Sequence, residues 1–167
     1  SHGRVDNSDY FSNPSLSKYT GLGYNWRMSS LTAALGITQL QKIDKIIKMR
    51  KANAEYLSNN LSKIPQLKVP TMPPGHEHIY QMYTIRLENE NIRNELHDFL
   101  TTKEIFSKVY FQPIHKTQFY IKSHMSKDLP VTEMISNQVL TIPLYPNMTM
   151  DEKEYLVSSI LEFFDSK

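Results

Sequence analysis

Apolar residues recur every three or four positions between Ala33 and Ile64: Ala33, Ile37, Leu40, Ile43, Ile47, Ala54, Leu57, Leu61 and Ile64. That spacing follows the period of an α-helix and gives it one apolar face. Lys42, Lys45, Lys48 and Lys51 fall off the stripe, where ammonium groups keep their water. Ser29 or Ser30 suits the start, because a serine hydroxyl accepts from free first-turn amides. Pro65 stops the pattern. The spacing predicts a helix over residues 28–64, longer than the usual run of about 8–20 residues in globular proteins. Such a helix bends, bridges two domains or packs on a partner.

Shorter elements follow it. Residues 65–77 hold Pro65, Pro70, Pro73, Pro74 and Gly75 and read as a loop. His78 to Leu87 alternates, with Ile79, Tyr83, Ile85 and Leu87 on one side, and predicts a strand. Asn91 to Thr102 reads as a short helix with Ile92, Leu96, Phe99 and Leu100 inward. Ile105 to Phe111 predicts a second strand, and Pro113 to Ser126 a loop anchored by Phe119 and Tyr120. Leu129 to Gln138 predicts a helix, and Val139 to Leu144 a third strand, stopped by Pro143 and Pro146. Thr149 with Glu152 forms a capping box ahead of a helix to about Phe164. The class is α/β or α+β, with an α+β small domain: a small sheet, expected to be mixed, with helices on one face. Residues 1–27 show no periodicity and predict an irregular arm. It is too poor in apolar surface to order alone and is expected to pack on protein outside this chain.

Composition excludes several functions. The 167 residues, 40% hydrophobic, suffice for one domain or one domain plus an appendage. Lys and Arg number 19 against 17 Asp and Glu. That balance lacks the clustered basic surplus of a nucleic-acid footprint. Cys is absent, which removes disulfides and thiolate metal sites and fits a reducing compartment, the cytoplasm. No apolar run approaches the roughly 18 residues of a membrane span. Ser1 to Tyr10 is polar and unlike a signal peptide. The chain opens Ser-His-Gly-Arg without an initiator Met, which reads as a fragment or a processed piece.

The run Gly21-Leu-Gly-Tyr-Asn-Trp-Arg-Met28 offers candidate chemistry. Glycines let backbone approach a ligand. Asn25 brings an amide donor, Arg27 a charged fork, and the following helix a partly positive N-terminus. Together they suit a phosphate. The same residues also suit a plain turn with Tyr24 and Trp26 in the core, the commoner arrangement when such a run stands alone. His115 follows a predicted strand end, a frequent place for binding or acid–base work, though a lone histidine there is more often an ordinary surface-loop residue. His76 and His78 lack a third ligand, so no metal site is expected.

Beyond these physical readings, several ordered stretches carry a resemblance. They are Ser1-His2-Gly3-Arg4, then Gly23-Tyr-Asn-Trp-Arg-Met-Ser29 with Ala33-Ala-Leu-Gly36 and Gln39-Leu40. They continue with His78-Ile-Tyr-Gln-Met-Tyr83, Tyr110-Phe-Gln-Pro-Ile-His115, and Leu129-Pro-Val131 through Leu140-Thr-Ile-Pro-Leu-Tyr-Pro146. In this order they resemble the DegT/StrS-type nucleotide-sugar aminotransferases, pyridoxal-phosphate enzymes of the aspartate-aminotransferase type I fold. The resemblance covers nearly the whole chain. It implies the C-terminal part of such an enzyme: residues 1–27 as the tail of the large cofactor domain, 28–64 as the linking helix and 65–167 as the small domain. It also implies a homodimer, an amino-acid donor such as glutamate, and a keto-sugar nucleotide acceptor. The family's Schiff-base lysine lies upstream of Ser-His-Gly-Arg, so no lysine here is assigned as catalytic and the chain alone is expected to be inactive. Asn25 matches the family Asn that reaches the cofactor phosphate of the neighbouring subunit, flanked by Tyr24 and Arg27. His115 matches a histidine at the substrate end of the cleft. Tyr110 and Gln81 stand where the family usually has histidines, so substrate contacts at those two positions are expected to differ. A stand-alone binding or assembly domain, or a sugar dehydratase or regulator on the same scaffold, are the alternative readings.

Overall fold

The structure, a computed structural model, describes residues 20–122 and 128–166. Ser1 to Tyr19, residues 123–127 and Lys167 lie outside it, and with them most of the expected arm and the Ser-His-Gly-Arg stretch. The chain divides into two compact units, residues 1–42 and 43–167.

In the first unit, residues 20–29 carry neither helix nor strand, and helix α1 spans Ser30–Leu40. Ser29 is its N-cap, its hydroxyl accepting from the Thr32 amide at 3.2 Å. At the far end Gln41 N–H still bonds back four residues to Ile37, but Lys42 N–H bonds back only three, to Gln39. This tighter turn closes α1. The stripe anticipated over residues 28–64 is therefore two helices, α1 and α2 (Ile43–Leu61). No residue of α1 is buried among the described residues, and Leu40 is 70% exposed.

The second unit holds the core. Ala54, Leu57 and Leu61 of α2 are fully buried, so here the stripe has found its cover. Burying one such leucine contributes on the order of 1.5–3 kcal/mol. Three strands follow: β1 (Leu67–Lys68), β2 (Tyr83–Leu87) and β3 (Val139–Ile142), in the order β1-β2-β3. Every described pairing is antiparallel, in place of the mixed sheet expected. The reason lies at the end of α5 (Pro130–Gln138), which hands the chain directly to β3. Gln138 accepts from Arg86 Nε at 2.7 Å and donates to the Glu88 carbonyl at 2.7 Å. The chain thus reaches the C-terminal end of β2 and can only run back along it, with Val139 opposite Arg86 and Ile142 opposite Tyr83.

Period-two alternation turns Tyr83, Ile85 and Leu87 inward. There they meet helix α3 (Glu90–Thr102) through Leu96 and Leu100, and helix α6 (Met150–Asp165) through Leu156, Val157, Ile160 and Phe163. Both helices start as their sequences direct. Asn89 accepts from Ile92 N–H at 3.0 Å, and Thr149 with Glu152 closes the anticipated capping box. The Tyr83 hydroxyl pairs with Ser58 Oγ at 2.7 Å, and burial pushes its pKa up to about 12.

All three anticipated strands are shortened, the last by two residues, since β3 ends at Ile142 ahead of Pro143. The strand foreseen from His78 begins at Tyr83, because Tyr80 takes a left-handed backbone at φ 50° and turns the chain. The strand foreseen over 105–111 contracts to one bridge, Lys108 opposite Thr141. Glu104 enters it at φ 59°, and Phe106 and Phe111 are 84% and 70% exposed, so little apolar burial extends the pairing. The region read as loop from Pro113 contains a short 3-10 turn, Ile114–Lys116, and helix α4 (Gln118–Lys122).

Candidate functional site

Arg50, on α2, sets the local frame. Its Nη1 donates to the carbonyls of Tyr80 at 2.9 Å, Gln81 at 3.1 Å and, more weakly, Leu144 at 3.5 Å. One guanidinium thereby ties the entrance of β2 to the exit of β3. Next to it on α2, buried Asn53 donates to the Tyr145 and Pro146 carbonyls at 2.8 and 3.2 Å. These two polar side chains hold the Pro143-Leu-Tyr-Pro146 segment where an apolar contact could not orient it.

Between those ends lies a concavity of about 340 Å³, lined by Gln81, Met82, residues 106–108, Tyr110 and Thr141 to Leu144. The single bridge delivers the middle segment: Lys108 and Thr141 exchange both backbone hydrogen bonds at 2.8 Å. Ser107 Oγ lies 2.8 Å from His97 Nδ1, and Lys108 Nζ sits 5.1 Å from the centre of the Tyr110 ring. The lining thus joins apolar walls to an amine, a phenol and a carboxamide. Such a wall can recognise a polar ligand bearing hydroxyls or negative charge.

Gln81 and Tyr110 therefore share one wall. His115 does not line it. His115 lies in the Ile114–Lys116 turn, 9% exposed, with Nε2 3.1 Å from Glu133 Oε1. The other oxygen of Glu133 pairs with Lys116 Nζ at 2.5 Å. Lys116 foremost, then His115 and the Leu129 amide, hold the Glu133 carboxyl down at about 2 despite the cost of desolvation. Sequence reasoning missed Arg50, Asn53, Lys108, Lys116 and Glu133. No local pattern marks them, because their partners lie far along the chain.

Tyr24, Asn25 and Arg27 belong to the first unit. Tyr24 stacks on Trp26 with centroids 4.8 Å apart, and both rings are exposed, so they form no core among the described residues. Asn25 and Arg27 are exposed, with no hydrogen-bonding partner among the described residues. Amide, guanidinium and phenol together form a donor set, which fits a phosphate. A Cβ at Gly21 would meet nothing within 4 Å, so nothing described in this unit requires a glycine there. His76 Nδ1 lies 3.2 Å from the Pro74 carbonyl, and His78 Nδ1 accepts from Tyr80 N–H at 2.8 Å. Among the described residues no three His, Asp or Glu side chains gather as a metal would need. No described helix is long and apolar enough to cross a membrane.

The fold is that of the C-terminal portion of the sugar aminotransferases. The solved Helicobacter pylori PseC, an aminotransferase involved in pseudoaminic acid biosynthesis, superposes with a TM-score of 0.79 at 20% identity, over 100% of this chain and 44% of that one. The model of the DegT/DnrJ/EryC1/StrS aminotransferase family matches residues 1–161, and the chain belongs to that family. GDP-perosamine synthase of Vibrio cholerae is 30% identical over 146 residues, 86% of this chain and 40% of that protein. The Escherichia coli O157:H7 enzyme of the same name is 27% identical over 87% of this chain and 39% of its own length. The chain spans about two fifths of the curated relatives it matches.

Proposed function

We propose that this chain is the C-terminal part of a pyridoxal-phosphate-dependent aminotransferase that moves an amino group from an amino acid, glutamate, to a keto-sugar nucleotide. The observation that carries the reading is the family match along residues 1–161 in a chain that spans about two fifths of its relatives' length. The names of the GDP-perosamine synthases support a nucleotide-linked sugar as acceptor. Residues 1–27 are the tail of the cofactor domain, 28–64 the link and 65–167 the small domain, and the working enzyme is a homodimer.

Bound pyridoxal phosphate supplies the electron sink that makes amine transfer feasible. The chain's own residues bind and orient. The Asn25 amide and Arg27 guanidinium donate to the cofactor phosphate of the neighbouring subunit, and the Tyr24 ring, stacked on Trp26, borders that site. Arg27 offsets phosphate charge where a neutral donor could not. Tyr110 and Gln81 line the wall that meets the sugar nucleotide, and His115, outside that wall, stands near the substrate end of the cleft. The lysine that anchors the cofactor belongs to the part of the enzyme upstream of Ser1, so the chain alone is catalytically incomplete.

Two experiments test this. In the complete enzyme, Asn25→Ala is expected to weaken cofactor retention about tenfold, the loss of one hydrogen bond to a charged group. Its unfolding curve should not move; unchanged cofactor affinity refutes the assignment. The 167-residue chain mixed with pyridoxal phosphate and reduced with borohydride should give only scattered lysine labelling. A saturable adduct at a single lysine overturns the reading of an incomplete catalyst.

A further inference from the structure

The sequence singled out His115 alone, yet the structure gives it two companions. His115 Nε2 is 3.1 Å from Glu133 Oε1, and that same oxygen accepts the Leu129 amide at 3.3 Å. Lys116, the next residue after His115, holds the other Glu133 oxygen. With its carboxyl held at about 2, Glu133 is an anion at neutral pH. A carboxylate accepts hydrogen bonds and has none to donate. The proton in its bond with His115 therefore sits on Nε2. In the neutral ring that leaves Nδ1 as a bare acceptor. No group among the described residues meets Nδ1. An acceptor nitrogen favours a partner with an O–H or N–H to give, and sugars supply hydroxyls.

We propose that Glu133, steadied by Lys116, is a positioning residue that fixes His115 in its Nε2–H form and so offers Nδ1 as an acceptor to a hydroxyl of the sugar nucleotide. The ligand named here rests on the proposed function; the state of the ring does not. Glu133 acts through His115 and touches no substrate itself. Lys116 neutralises the carboxylate and keeps it from swinging to solvent.

Two measurements test it. Long-range nitrogen–proton correlation spectra of the histidine rings, with His115 assigned by its loss in His115→Gln, should show the neutral ring protonated at Nε2. In Glu133→Gln and Glu133→Ala the same ring should become a mixture of both forms. A proton on Nδ1 in the parent protein, or unchanged ring shifts in both variants, overturns the proposal. In the complete enzyme, Glu133→Ala should raise KM for the keto-sugar acceptor about tenfold and change kcat less. In a His115→Ala background the same substitution should add nothing, since its effect passes through the ring. Equal effects in both backgrounds also overturn it. An enzyme without transaminase activity would refute the functional reading instead, and the ring spectra would still decide this one.

Discussion

Arg50 donates through Nη1 to the carbonyl of Tyr80, the residue whose left-handed backbone at φ 50° ends the chain's approach to β2. A bulky aromatic in that conformation is costly and persists only where its surroundings hold it. Because the same nitrogen also serves Gln81 and Leu144, the cation stabilises a turn and shapes the adjoining wall at once. Arg50→Met removes the donor and keeps much of the stem. It should cost about 1–3 kcal/mol, read as a lower urea midpoint with an unchanged slope. A midpoint within error of the parent would show that water replaces the fork freely.

The two halves of the apolar stripe should respond differently to truncation. Leu57→Ala empties a fully buried site and should cost about 2–5 kcal/mol. Leu35, on α1, is exposed, and Leu35→Ala should stay within about 0.5 kcal/mol. Denaturant titration of this chain compares the two. A large loss at Leu35 would reveal a covering surface that the described residues do not provide.

Thr149 donates nothing to the core, yet α6 depends on it. Its hydroxyl accepts from Glu152 N–H at 3.2 Å, and Glu152 Oε2 accepts from Thr149 N–H at 2.7 Å. Thr149→Ala should destabilise by about 1 kcal/mol. Adding Glu152→Ala should cost less than the two separate losses combined, because the box is reciprocal. Strict additivity in thermal melts would disprove that coupling.

Acid should unpick the Glu133 cluster. Its folded pKa, about 2, lies below the ordinary value of 4.5. The unfolded chain therefore binds the proton first, and stability falls as pH drops. The contribution is fully present above about pH 4.5 and is lost as pH falls toward about 2. Glu133→Gln should flatten the pH dependence of the urea midpoint in that window and leave its shape unchanged near neutrality. A parent and variant with parallel curves from pH 6 to 2.5 would contradict the assignment.

What could be read beforehand was what local periodicity controls. The stripe over Ala54, Leu57 and Leu61, the alternation of Tyr83, Ile85 and Leu87, and the Thr149 box all appear in place. Where long-range contacts decide, reading along the chain fell short. The turn at Tyr80 depends on Arg50, thirty residues away, and the antiparallel run of β3 on Gln138 meeting Arg86. At the candidate wall, Gln81 and Tyr110 stood out only through a resemblance and Lys108 left no mark, nor did Glu133 beside His115. Charged side chains earn a position through partners in space, and spacing along the sequence carries no trace of that.

The bridge between Lys108 and Thr141 behaves as a single rivet. Two backbone hydrogen bonds at 2.8 Å fasten the segment that carries Tyr110, and the neighbouring residues on that segment add no further rungs. One local opening event frees both amides together, so Lys108 and Thr141 should share a common hydrogen-exchange rate faster than that of the β2–β3 ladder. The wall of the concavity can then loosen and reseat while the core beneath it stays closed.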